Sequence, residues 1–197
     1  MSTLTEVRPG DIMFGPIGGL IPGVFPVGIG QLALKAATRE TWGFRHVAVV
    51  VSANPPRIVQ AMPSGAEEIE VGPEHFTNDY LYVRPAYNDM PGEWNQAKLT
   101  AKAARRYVGT PYSFLDYAAI LGLHLGVKDG RVRRYVRASG HMICSQLADQ
   151  ALTDAGWHTF TDGRLPQDVM PAELLRKLLT MPGQHRYGME ARWTANA

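Results

Sequence analysis

The chain has 197 residues, of which 45% are hydrophobic and 19% charged, a composition that suits one globular domain over residues 1–197 with a core at about 7–180. The net charge of +2 gives no reason to expect a nucleic-acid partner, and the arginines at 131, 133, 134 and 137 read as a solvated face. A single cysteine excludes an internal disulfide and a cysteine-rich zinc site, and no His-Glu-x-x-His spacing occurs, so neither a metal nor another cofactor is expected.

The start of the chain lacks the basic region and apolar core of a secretory signal, which gives a cytoplasmic expectation. A first strand is expected at 11–14. Residues 15–34 are apolar, but Gly and Pro interrupt them throughout, so 15–30 read as an apolar loop leading into a short helix at 31–37 rather than a membrane span. Gly28-Ile29-Gly30 is too short a motif to indicate a nucleotide without a surrounding βαβ unit. Strands follow at 46–52, 57–62, 67–71 and 80–84, punctuated by Asn54-Pro55-Pro56 and Pro63-Ser64-Gly65.

The pattern then turns helical. Trp94, Ala97, Ala101, Ala104 and Val108 share one face of a helix expected at 93–108, which Gly109 and Pro111 stop. Further helices are expected at 114–123, at 144–155 with Gly156 as the stop, and at 171–179, where Pro171 suits a first-turn position. Short connections among the strands favour an antiparallel sheet. Strands followed by helices give an α+β domain with helices packed on one face of that sheet.

Three residues suggest chemistry. Cys144 stands where a helix begins, and the free N–H groups and partial positive charge there favour a thiolate. His46 opens the β-branched run His46-Val47-Ala48-Val49-Val50-Val51, a buried strand with a base at its entrance. Gln60, in the next strand, looks to the side opposite Val59 and Ala61, where its amide could accept the second imidazole N–H and orient the ring. Each has an ordinary alternative: a buried inert thiol, a structural histidine with five others in the chain, and a solvent-facing glutamine.

Five segments in this order resemble the papain-like NlpC-type cysteine hydrolases, in the circularly permuted branch that includes lecithin:retinol acyltransferase-like and YiiX-like proteins. They are Arg8-Pro9-Gly10-Asp11-Ile12, His46-Val47-Ala48-Val49-Val50, Val59-Gln60-Ala61 with Ser64-Gly65, Gly109-Thr110-Pro111-Tyr112, and Ile143-Cys144-Ser145-Gln146-Leu147. The resemblance spans residues 7–156. It implies a papain-like fold, Cys144 as nucleophile, His46 as general base and Gln60 as the orienting residue, with Tyr112 and Ser145 beside the substrate. Permuted relatives often carry an acidic residue at the orienting position, where this chain has an amide. The implied substrate is a peptide or peptidoglycan stem peptide; a lipid acyl group, with hydrolysis or acyl transfer, is the alternative on the same triad. A non-catalytic interaction module of the same fold is the rival from another class. A cell-wall substrate and a cytoplasmic start would be reconciled in a phage-borne protein or an exported effector.

Overall fold

The computed structural model describes residues 2–3, 6–16, 43–87, 95–112, 142–164, 166, 169–187 and 192–193. The loop at 17–30, the helices expected at 31–37 and 114–123 and the four arginines lie outside them.

The described chain runs β1 (Ser2–Thr3), β2 (Glu6–Val7), β3 (Ile12–Gly15), β4 (His46–Ala53), β5 (Pro56–Met62), β6 (Gly65–Glu70), a 3-10 turn (Pro73–Phe76) and β7 (Leu81–Pro85). Then come α1 (Gln96–Arg106), α2 (Cys144–Asp154), α3 (Pro171–Thr180), β8 (Gly183–Tyr187) and β9 (Arg192–Trp193). One sheet of seven strands has the order β1-β8-β7-β3-β4-β5-β6, and β2 pairs with β9 apart from it. The ladders from β8 to β6 are antiparallel, whereas β1 lies parallel to β8 at the far edge. The fold is α+β.

The period of two along the strands sorts the core into two layers. Val47, Val49, Val59 and Phe14 lie in one cluster with Leu147 and Leu152 of α2, Ala104 of α1 and Leu174 of α3, so all three helices cover that face. Ala48, Val50, Ile58, Met13 and Tyr82 form a second cluster on the opposite face. Leu147 and Leu152 are fully buried, each contributing roughly 2 kcal/mol through loss of contact with water.

Alanine and glycine let α1 sit close. Ala101, Ala103 and Ala104 are buried on it, and it passes so near the turn before β3 that a Cβ on Gly10 would lie 2.5 Å from the Ala97 carbonyl oxygen. Gly10 also has φ +94°, a backbone region that side chains disfavour, so both space and conformation require glycine there. After α1, Gly109 donates its N–H to the Ala66 carbonyl and Ala66 donates to the Thr110 carbonyl, stitching this segment to the start of β6. Met142 then donates to the Pro111 carbonyl, which brings the approach to α2 against the same edge. None of the described helices is long and apolar enough to cross a membrane.

Candidate active site

Helix α2 starts at Cys144 because Ile143 is extended, at φ −97° and ψ 166°, and its N–H is taken by the Gln146 side-chain oxygen at 2.9 Å. A glutamine at the third helical position thus ties down the entry to the first turn. The N–H groups of Val47, Ser145 and Cys144 lie near enough to the sulfur to favour its thiolate.

The Val47 contact is the informative one. In the β4–β5 ladder the register runs as far as Ala48↔Gln60 and stops there. One residue beyond, the Val47 N–H lies beside the Cys144 thiol and favours its thiolate. That N–H belongs to the peptide bond joining His46 to Val47, so the sulfur lies beside the start of β4.

His46 is the first residue of β4, and its Nε2 is 2.7 Å from Gln60 Oε1 in a buried contact. Alternation sets both side chains on the face of Ala48, opposite Val59 and Ala61, which is the orientation expected from the sequence for Gln60. Cys144 comes from the helical face. The nucleophile and base candidates therefore belong to the two faces of the sheet, near the point where the β4–β5 pairing stops.

Burial dominates the electrostatics. It pushes the Cys144 thiol up to about 11, against the three N–H donors that favour the thiolate. His46 is pushed down to about 4, first by burial and further by the His75 charge, while its bond to Gln60 acts the other way. From its place at a helix start, the thiol is expected to be acidified below its reference value. The structure corrects it, because desolvation of the sulfur outweighs the donors. At neutral pH the proton rests on sulfur and the imidazole is neutral, which leaves the ring free to accept a proton.

The two residues expected beside the substrate differ. Tyr112 is half-buried and packs against the helix-side core, next to Pro111, whose carbonyl holds Met142 two residues before the cysteine. Ser145 is fully buried and donates its hydroxyl to the Val169 carbonyl at 2.7 Å. That bond joins α2 to the segment entering α3, so the serine side chain is a structural tie and only its N–H faces the site. Sequence reasoning did not single out Glu67, which accepts from Gln60 Nε2 at 3.1 Å. A signal was present: a two-residue turn at Pro63-Ser64 sets Gln60 opposite Glu67 across the hairpin.

The thiol's behaviour follows with a definite sign. Since the deprotonated form is the nucleophile, iodoacetamide alkylation of Cys144 in the free protein is expected to rise roughly tenfold per pH unit between pH 7 and 10. A fast, pH-independent rate between pH 6 and 8 would instead indicate a resting thiolate paired with imidazolium. Peptide mapping of the alkylated residue at each pH distinguishes the two.

No family model matches the chain, and neither a curated protein nor a solved structure is detectably similar to it.

Proposed function

We propose that the protein is a cysteine hydrolase that cleaves an amide bond, with Cys144 as nucleophile, His46 as general base and Gln60 as the orienting residue. The observation that carries this reading is the shared peptide at the start of β4: its N–H lies beside the Cys144 sulfur and favours the thiolate, and the imidazole of the residue before it is held by Gln60.

The chemistry starts from a neutral pair. Gln60 accepts from Nε2–H, so Nδ1 carries the lone pair and takes the thiol proton as sulfur attacks the carbonyl carbon. The N–H groups at the open first turn of α2 stabilise the oxyanion of the tetrahedral intermediate. His46 then returns its proton to the departing amine, and a water activated by the same nitrogen hydrolyses the thioester. Keeping the pair neutral until substrate arrives protects the thiol from adventitious oxidation.

The substrate class, a peptide or a peptidoglycan stem peptide, rests on the motif resemblance. It is tested by offering the full chain and its Cys144→Ala variant a panel of peptide amides, muropeptides and lipid acyl esters. Amide release by the parent and none by the variant is expected. Cleavage confined to acyl esters would replace the amidase by the lipid acyl hydrolase, and equal turnover by parent and variant would remove the cysteine from the chemistry.

A further inference from the structure

Resting on that function, we propose that Glu67 is a positioning residue that fixes the proton on His46 through Gln60. What each group can do in a hydrogen bond decides the arrangement. An ionised carboxylate only accepts, so the side-chain atom of Gln60 that meets Glu67 Oε1 at 3.1 Å must be the amide nitrogen. The amide is planar and its two ends are distinct. With nitrogen committed to Glu67, the carbonyl oxygen Oε1 is turned to His46, 2.7 Å from Nε2.

A carbonyl oxygen cannot donate, so Nε2 must carry the ring proton and Nδ1 must be unprotonated in the neutral ring. Without Glu67, Gln60 is free to flip and present its NH2 group to the imidazole. The ring would then hold its proton on Nδ1, the atom that the mechanism needs as base. One carboxylate, two strands from the histidine, thus selects the tautomer.

The backbone makes this arrangement rigid. Gln60 and Glu67 are directly opposite in the β5–β6 ladder, whose register runs without a break from Arg57↔Glu70 to Met62↔Gly65. The turn between the strands ends at Gly65, with φ +118° and an ideal Cβ position only 3.2 Å from the Thr110 carbonyl oxygen. The same hairpin end is tied to residues 109–110 through both backbone groups of Ala66. A slip of the register by one residue would turn Glu67 to the other face and break the chain of bonds.

The test has a readout that requires no substrate. Ring 15N shifts of His46 in the full-length protein report which nitrogen is protonated, and the parent is expected to show the Nε2–H form. In Glu67→Ala that form is expected to give way to a mixture, with kcat on the cleaved substrate falling at least about tenfold and KM unchanged. Gln60→Glu alone, which places two carboxylates face to face, is expected to lose activity as well. Combining it with Glu67→Gln is expected to restore both the tautomer and kcat, because the carboxylate introduced on β5 would then accept from the imidazole and from the new amide on β6.

An unchanged His46 tautomer in Glu67→Ala, or a double variant no better than Gln60→Glu alone, would overturn the positioning role. These results stand apart from the fate of the hydrolase reading. A tautomer shift in Glu67→Ala beside a fully active Cys144→Ala would keep the positioning and reject the nucleophile.

Discussion

Replacing Cys144 with alanine is expected to reduce turnover by roughly 10^4-fold or more while the protein keeps its fold. In the proposed mechanism sulfur supplies the electron pair that makes the covalent bond, and the adjacent Ser145 cannot take its place because its hydroxyl is committed to Val169. The cost in stability is small. The thiol is buried within the helix-side core, and its loss removes one atom's packing, about 1–2 kcal/mol. His46→Ala is expected to reduce turnover by a comparable factor, because at neutral pH the thiol keeps its proton unless a base takes it. Kinetics of both variants, with thermal melts to confirm folding, check the claim. A His46→Ala enzyme with near-parent kcat would show that another group removes the proton.

Asp11→Ala is expected to lower stability by about 3–5 kcal/mol, the largest effect expected from a residue remote from the chemistry. Asp11 is fully buried and its carboxylate is shared by three donors. Arg84 grips it with Nε at 2.7 Å and Nη2 at 2.8 Å, and the Arg8 N–H donates at 2.8 Å. The same Arg84 Nη2 donates to the Glu6 carbonyl at 2.7 Å, so one ion pair fastens β2, the turn into β3, and β7. Alanine would leave the largely buried guanidinium without its counter-charge, and that penalty exceeds what the pair contributes over two apolar groups. Asp11→Asn retains an acceptor and is expected to lose less. Urea unfolding measures both; a loss below about 1 kcal/mol for Asp11→Ala would mean that water or another carboxylate replaces the partner.

Much of this architecture was legible in the chain because the buried elements carry strong patterns. The run from His46 gave a strand that begins at that residue and extends to Ala53, one beyond the expected end. The helix expected from Cys144 with Gly156 as its stop runs Cys144–Asp154, and Gly156 has φ +78°. Pro171 begins α3 as its position suggests. Other elements left no such trace. Strand β8, Gly183-Gln184-His185-Arg186-Tyr187, is largely polar and has no apolar alternation, yet it pairs with β7 along its whole length. Strands β1, β2 and β9 have two residues each, too short for any period.

The site divides in the same way. Residue types and local starts pointed to Cys144, His46 and Gln60 as candidates, since each sits at a boundary or an alternation that sequence reveals. The ionisation of the pair was not legible, because it depends on how completely the folded chain excludes water from the sulfur and the ring. Nor was the use of Ser145, whose partner Val169 is supplied by a segment 24 residues away in sequence. Glu67 was within reach through hairpin register, but only after the turn at Pro63-Ser64 had been assigned its length.

The claim that Cys144 forms a covalent acyl intermediate is tested most directly by trapping it. The full chain is mixed with an activated acyl ester, quenched in acid and examined by intact-mass and peptide-mapping mass spectrometry. One acyl group on Cys144, removable by hydroxylamine as a thioester and absent from Cys144→Ala, is the predicted result. Consumption of the ester with no adduct on Cys144, at a rate unchanged in Cys144→Ala, would contradict it.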